Sequence, residues 1–440
     1  MITSYTWQSE PHGLARGSSQ NRHESKERNS SLLSRIRVSM KAILVMTSDN
    51  PFYIDELKSL CIACDIEVED VVIQKLEKIN PATYIGKGKI EEIRLRLDGE
   101  MVIFDDELSP LQVKNLTDQL QTEVTDRTDL ILRIFEQRAQ TKEAKLQVEI
   151  ARDQYLLPRL AGMQEHMSHQ QGGSGFRGSG EKQIELDRRI ISRKLSRSRK
   201  ELAQIVKQRQ TQRERRKRNN VPVIALVGYT NSGKSTLLNT LCQNKEKKVF
   251  EKDMLFATLQ TSTRNIKIKN HTCLLTDTVG FIERLPHNLI QAFRSTLEEV
   301  KEADLLLHVV DSSFEDYQLQ VDTTNKVLEE LGVENTPMIY VYNKVDLNKY
   351  GYVHPVTPYV FISAKEKIGL GLLEDEISHI LFKDYETFQL GIPYDKGEDF
   401  KYLYENTYVE QVDYRDDYIY LQIEAKRQDI KDYLMYILLN

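Results

Sequence analysis

Residues 222 to 240, Pro-Val-Ile-Ala-Leu-Val-Gly-Tyr-Thr-Asn-Ser-Gly-Lys-Ser-Thr-Leu-Leu-Asn-Thr, leave few folds open to this chain. Val223 to Val227 has the length and β-branched content of a buried parallel strand, and it runs straight into Gly228-x-x-x-x-Gly233-Lys234-Ser235 and a helical pattern. This is the spacing of a phosphate-binding loop. Backbone N–H groups of Tyr229, Thr230, Asn231, Ser232, Gly233, Lys234 and Ser235 can curl around a polyphosphate only where Gly228 and Gly233 turn without a Cβ. The positive end of the following helix then faces the anion. Lys234 is expected to reach the β and γ phosphates and the Ser235 hydroxyl to hold Mg²⁺, with Thr236 beside it in the first helical turn.

Further short motifs follow, each after a predicted strand. Thr272–Thr276 ends in Asp277-Thr278-Val279-Gly280, where a carboxylate can support the magnesium shell and the Gly280 N–H can meet a γ phosphate. Leu305–Val310 is another buried strand, and Met338–Tyr342 leads into Asn343-Lys344-Val345-Asp346. The Asp346 carboxylate can accept two hydrogen bonds from guanine, which adenine cannot donate, while Asn343 braces the loop. Phe361-Ile362 delivers Ser363-Ala364-Lys365, in place to close over the base. In this order the motifs specify a guanine nucleotide, GTP or GDP, bound by an α/β domain with a doubly wound, mostly parallel sheet.

The chain of 440 residues is long enough for about two to four domains. It holds no apolar run of membrane-spanning length and no apolar core of signal-peptide length near its start, so a cytoplasmic protein without membrane insertion is expected. Cys61, Cys64, Cys242 and Cys273 are too few and scattered for a disulfide framework, and Cys61-x-x-Cys64 reads as small apolar residues of a helix. The net charge of −5 hides an asymmetry. Residues 188–218 carry fourteen Lys or Arg against Glu201 and Glu214, a local +12 that leaves −17 for the rest. Such a segment is either a solvated helix face or a grip on a polyanion, and nucleic acid is the favoured partner.

Five regions are expected. Residues 1–39 are polar, aperiodic and read as disorder, and a strand begins so abruptly at Met40 that translation starting there is an expectation to check. Residues 40–135 alternate strand and helix: Ala42–Met46, helix Ile54–Cys64, Val68–Gln74, helix Lys89–Leu97, Met101–Phe104, helix Pro110–Leu120, then a strand Thr128–Ile134. Ser109, Pro110 and Gln112 form a capping box for the third helix. The Gly86-Lys87-Gly88 stretch lacks the full phosphate-loop pattern and reads as a tight helix start. Residues 136–220 are predicted to form an antiparallel helical hairpin, its tip carrying five glycines between Gly172 and Gly180 and its second arm an apolar seam of Ile184, Ile191, Leu195, Leu202 and Val206. The tip is a linker or a partner contact. His166 and His169 have no third ligand and do not read as a metal site. Residues 221–384 form the nucleotide domain. Residues 385–440, with ten of the 21 tyrosines, form a small α+β appendage of strands followed by a helix.

The intervening strings carry a resemblance. Tyr84-Ile-Gly-Lys-Gly-Lys89, Asp106-Glu-Leu-Ser-Pro-Leu-Gln112, Asn115-Leu116, Asp126-Arg127-Thr128, Ile134-Phe-Glu-Gln-Arg-Ala139, Leu157-Pro-Arg-Leu160, Arg177-Gly-Ser-Gly-Glu181, Thr276-Asp-Thr-Val-Gly-Phe-Ile282 and Leu285-Pro-His287 resemble the HflX family of translational GTPases. The resemblance spans Met40 to the C-terminus. It implies a magnesium-dependent GTP hydrolase, acting as a monomer, that binds the large ribosomal subunit through ribosomal RNA and dissociates idle or stalled ribosomes. Assembly of precursor particles and nucleotide-gated RNA binding with incidental turnover are the rival expectations. By position, the resemblance makes Thr258, within Phe256-Ala257-Thr258-Leu259-Gln260, the mobile-loop ligand that joins Ser235 on Mg²⁺ and, with Lys234 and Gly280, serves catalysis. Gln260 and Thr261 stand where family members often have an acidic residue and proline, so Thr261 and Thr263 are the neighbouring candidates. Phe281 stands where many GTPases have the glutamine that orients the attacking water.

Overall fold

The computed structural model describes residues 40–170, 179–217, 221–242, 255–256, 262–286, 289, 294–333, 335–349, 351 and 353–438. The expectations for residues 1–39, for the tip of the glycine-rich loop, for Ala257 to Gln260 and Thr261, and for the His166, His169 and Ile184 side chains lie outside what is described.

The first sheet has the order β2-β1-β3-β4, from β1 (Met40–Met46), β2 (Ile66–Ile73), β3 (Met101–Phe104) and β4 (Val124–Asp126), with β3 parallel to both β1 and β4. Its β1 strand is apolar on both faces because helices cover both. Ala42, Leu44 and Met46 pack with Leu57, Leu60 and Cys61 of α1 (Pro51–Ala63) and with α4 (Arg127–Arg138), while Ile43 and Val45 pack with Ile90 and Ile93 of α2 (Lys87–Arg96) and Leu116 of α3 (Pro110–Leu120). The capping box forms as read. Ser109 Oγ accepts from Gln112 N at 3.3 Å and Gln112 Oε1 accepts from Ser109 N at 2.8 Å. Cys61 and Cys64 are buried free thiols.

One element differs in kind. Thr128–Ile134 is not a strand but the body of α4, started by Asp126, whose carboxylate accepts the Asp129 N–H at 3.0 Å. The helix is buried almost all round, from Arg127 to Phe135, so it lacks the polar stripe that marks a surface helix. A short continuous apolar run does not distinguish a buried strand from a buried helix.

Helices α5 (Lys142–Gln170) and α6 (Ser179–Lys217) form the hairpin. Its antiparallel sense is fixed by cross-pairs that run in opposite directions: Lys142 with Glu201 at 3.3 Å, Ser198 with Glu149 at 3.0 Å, and Lys194 with Asp153 at 3.6 Å. Leu195 is buried, whereas Ile191, Leu202 and Val206 are half-buried. The seam is thus shallow, and Arg188, Arg193, Arg199 and Lys200 face solvent.

The second sheet has the order β10-β9-β8-β5-β7-β6. Strands β5 (Val223–Val227), β7 (His271–Asp277), β8 (Leu305–Asp311), β9 (Met338–Asn343) and β10 (Tyr359–Phe361) are parallel, and β6 (Ser262–Ile268) is an antiparallel edge that sequence reading missed. Along β5, Ile224 and Leu226 pack with Leu237 and Leu238 of α7 (Lys234–Leu241), and Ala225 and Val227 pack on the other face with Leu297 and Val300 of α8 (Arg294–Lys301) and Val327 and Leu328 of α9 (Tyr317–Glu330). After α10 (Leu370–Leu381), a third, antiparallel sheet β11-β13-β12 combines Tyr385–Pro393, Tyr418–Lys426 and Tyr408–Tyr414. Its α-helix, α11 (Gly397–Asn406), lies between β11 and β12 in the chain, and the C-terminal segment Lys431–Tyr436 is a 3₁₀ turn instead of the expected α-helix. No helix among the described residues is long and apolar enough to cross a membrane.

The Ser109 cap has a measurable worth. Replacing Ser109 by Ala is expected to lower stability by about 1 kcal/mol, read as a reduced urea midpoint with an unchanged m-value.

Candidate nucleotide site

All of the described motif residues converge at the carboxyl ends of β5, β7, β8, β9 and β10, where an open parallel sheet leaves its crevice. The phosphate loop leaves β5 at Gly228, whose φ of +142° and lack of side chain are both required: a Cβ there would lie 2.2 Å from the Val309 carbonyl oxygen of the adjacent strand. Asn231 also takes a left-handed φ of +61°. Gly233, at φ +96°, caps α7 without any side-chain hydrogen bond, so no side chain of the cap residue covers the N-terminus of the helix.

Within the loop, Lys234 is buried, and its Nζ donates to the carbonyls of Gly228 at 3.0 Å and Tyr229 at 2.6 Å. Burial pushes its ammonium down to about 8, with Asp277 pulling it back up. An ammonium held this way gains an anionic partner at little reorganisation cost. Ser235 Oγ donates to Asp277 Oδ2 at 2.6 Å, which brings together a hydroxyl and a carboxylate, the hard oxygen donors that magnesium takes. Among the described residues no group of three or more His, Cys, Asp or Glu forms a cage of its own. Thr236 is half-buried in the first turn and accepts from Thr240 Oγ1 at 2.8 Å.

At the opposite end of the crevice, Asn343 joins two loops. Its Nδ2 donates to the Ser232 carbonyl at 2.9 Å and its Oδ1 accepts from Ala364 N at 3.0 Å. Lys344, at φ +64°, reaches back to Asp311 Oδ2 at 2.7 Å. Val345 N donates to the Ile362 carbonyl at 3.2 Å, which carries Asp346 outward into solvent on a short 3₁₀ turn. Ser363 is buried and its Oγ accepts from Glu366 N at 3.1 Å; Ala364 is buried and Lys365 exposed. Asp311, the partner of Lys344, was not singled out from sequence, although it ends a buried strand as Asp277 does.

The segment after β7 closes the site. Thr278 Oγ1 donates to the Leu226 carbonyl at 2.6 Å, Thr230 N donates to the Phe281 carbonyl at 2.7 Å, and Phe281 N donates to the Gly228 carbonyl at 3.1 Å. Gly280 therefore sits hard against the loop; a Cβ on it would be 2.7 Å from Thr230 Cα. Val279 and the Phe281 ring are buried, the latter with Ala225, Val227 and Leu297, so residue 281 presents no polar group to the crevice. Phe256 donates its N–H to Thr230 Oγ1 at 2.8 Å, but its ring turns away and packs edge-on against Phe135 of α4, centroids 4.7 Å apart. Thr263 is paired across β6 and β7 with the Thr276 hydroxyl at 3.0 Å. Sequence reading also missed where the Tyr229 side chain goes: out of the nucleotide domain, to Glu56 on α1.

Known proteins share this order of regions along the chain. Family models described as the N-terminal part of a GTP-binding GTPase, its middle region, and a 50S ribosome-binding GTPase match residues 52–136, 138–216 and 223–344. Among solved structures, a GTP-binding protein from Sulfolobus solfataricus in complex with GDP is 28% identical, covering 78% of this chain and 98% of that one, with a TM-score of 0.41. The GTPase HflX of Caldanaerobacter subterraneus subsp. tengcongensis is 43% identical over 397 residues, 88% of this chain and 91% of the relative. The GTPase HflX of Escherichia coli is 41% identical over 298 residues, 67% and 69% of the two chains. With relatives this similar over most of their length, and with the phosphate loop and its partner motifs in one crevice, the chain belongs to the HflX family of GTPases.

Proposed function

We propose that the protein binds GTP with Mg²⁺ in this crevice, engages the large ribosomal subunit in that state, dissociates idle or stalled ribosomes, and is released by hydrolysis in the cytoplasm. The observation that carries the reading is the Asn343 brace, which links the phosphate loop at Ser232 to the 363–365 loop at Ala364 and so gives a nucleotide one continuous seat. Backbone N–H groups of the loop bind the phosphates, that of Thr230 excepted because it donates to the Phe281 carbonyl, while Lys234 supplies a buried positive charge and Asp346 accepts from the guanine edge. Ser235, Asp277 and, from the family resemblance, Thr258 would hold the metal directly or through water. Bound there, magnesium supplies charge neutralisation on the β and γ phosphate oxygens. The Gly280 N–H orients the γ phosphate, and the contacts that GTP and Mg²⁺ make with Gly280 and with the loop around Thr258 are the switch. Membership of the family, and the description of the matched central region as a 50S ribosome-binding GTPase, support the ribosomal partner. The exposed basic face of α6 supports RNA as the surface it meets.

Four outcomes follow. Replacing Asp346 by Asn exchanges an acceptor for a donor, so GTP affinity is expected to fall by about 1.5–3 kcal/mol while xanthine nucleotides, which carry a carbonyl at that edge, gain; competition binding reads both. In co-sedimentation with separated subunits, the protein should pellet with large subunits in a non-hydrolysable GTP analogue and not in GDP. Single-turnover hydrolysis should be slow alone and accelerate when large subunits are added, because Phe281 offers no group to orient water; equal rates would refute that, and binding only to precursor particles would redirect the function to assembly. Finally, replacing Arg193, Arg199 and Lys200 by Ala should reduce the slope of log affinity against log salt by about two to three.

A further inference from the structure

Glu283, three positions beyond Gly280, is held through its N–H, its carbonyl and one carboxylate oxygen by side chains that lie outside the nucleotide crevice. Its N–H donates to Tyr229 Oη at 3.0 Å, its carbonyl accepts from Arg127 Nη2 at 3.1 Å, and its carboxylate accepts from Tyr53 Oη at 3.3 Å. The next residue, Arg284, takes a left-handed φ of +53° and extends into the carboxyl end of the first sheet. There its Nη1 meets Asp105 Oδ2 at 3.0 Å and Asp106 Oδ1 at 2.8 Å, with the guanidinium 4.9 Å from the Tyr53 ring centroid. The carboxyl edge of a parallel sheet is where an α/β fold usually receives a ligand, and here that edge is filled by the segment that follows Gly280.

The remaining contacts make this a continuous network. Tyr229, inside the phosphate loop, donates its hydroxyl to Glu56; Glu56 pairs with Arg127; and Arg127 Nη1 meets Asp105 Oδ1 at 3.0 Å. Glu56, Arg127 and Asp105 are 7%, 3% and 2% exposed. Burying such charges costs desolvation that their mutual attraction only partly offsets, so the network is a poor device for stability alone and a good one for fixing geometry. What it fixes is Gly280. The segment is fastened on one side at Phe281 to the loop backbone and on the other at Glu283 and Arg284 to the N-terminal α/β region. Between these ties, a Cβ on Gly280 would lie 3.1 Å from Lys234 Nζ, beside the amine that reaches for the terminal phosphates.

We propose that Arg284 with Asp105 and Asp106, and Tyr229 with Glu56, are positioning residues through which the N-terminal α/β region holds the Gly280 peptide ready for a γ phosphate, and so sets the preference for GTP over GDP. The proposal rests on the nucleotide site proposed above. It differs from a merely structural brace in what it predicts: GDP has no γ phosphate, so only GTP binding should respond.

The test uses the full chain, without ribosomes, and measures affinity for GDP and for a non-hydrolysable GTP analogue alongside thermal stability. Arg284→Ala is expected to weaken the analogue about five- to tenfold while GDP changes by less than about twofold. Arg284→Lys, which keeps the charge, should recover most of that loss. Adding Asp106→Asn to Arg284→Ala should cost nothing further, because the two act through one contact. Tyr229→Phe, which keeps the loop backbone and the ring whose centroid lies 6.0 Å from that of Phe52 but removes both hydrogen bonds, should weaken the analogue more than it weakens GDP. Equal losses for both nucleotides, no loss, or tighter analogue binding would overturn the proposal, and misfolding of the Arg284 variants leaves Tyr229→Phe to decide it. A parent protein that binds neither nucleotide would sink the site itself, a distinct result.

Discussion

A side chain at residue 228 would drive its Cβ to 2.2 Å from the Val309 carbonyl, and the whole nucleotide crevice depends on that contact being available. It lets the chain turn off β5 directly over β8, so that the loop curls above the sheet edge and α7 starts beneath it. Everything else in the site is referred to this turn: Lys234 is fastened to the carbonyls of residues 228 and 229, Phe281 to residues 228 and 230, and Asn343 to residue 232. The loop is a rigid template because groups from the start of α7, from the segment after β7 and from the end of β9 tie down its backbone.

The hydrophobic core continues this logic across regions. The cluster that covers one face of the first sheet, with Leu44, Leu60 and Phe135, also takes in Tyr229, Phe256, Val279 and Ile282. The phosphate loop and parts of both segments expected to sense the nucleotide therefore share one packed core with the N-terminal α/β region. Packed cores resist gradual deformation, so a shift at Phe256 or Ile282 has to be accommodated at Phe135 or Leu60 as well. By contrast, few of the described side chains of α6 are buried, and Arg188, Arg193, Arg199 and Lys200 form an exposed basic face.

Much of this was legible in advance. Strand β3, helix α3 and its capping box, the phosphate loop, and the motifs ending β7 and β9 all rest on local rules: periodicity, a cap, a glycine turn. The strand expected at Thr128–Ile134 is a helix because its neighbours bury it on every side, and burial is not a local property. Strand β6 was missed because Ser262–Ile268 is polar and gains its place only by pairing antiparallel with β7. The C-terminal segment closes in a 3₁₀ turn where a helix was expected, with Leu438 N bonded to the Gln389 carbonyl of β11 at 2.9 Å. The basic run was correctly read as helical, yet part of its charge is neutralised by Glu149, Asp153 and Glu201, two of them on the other arm.

By itself the sequence determined the family and its GTPase chemistry, because the phosphate loop and the motifs expected to meet magnesium and guanine are each specified by residue type at fixed short spacing. Only the tertiary structure decided how that chemistry is supported. Glu56, Asp105, Arg127, Tyr229 and Arg284 carry no common pattern in the chain, and nothing in their spacing couples them until folding links them through hydrogen bonds and ion pairs. Local spacing encodes groups that bind one small ligand; contacts between distant segments exist only once the sheet edges meet.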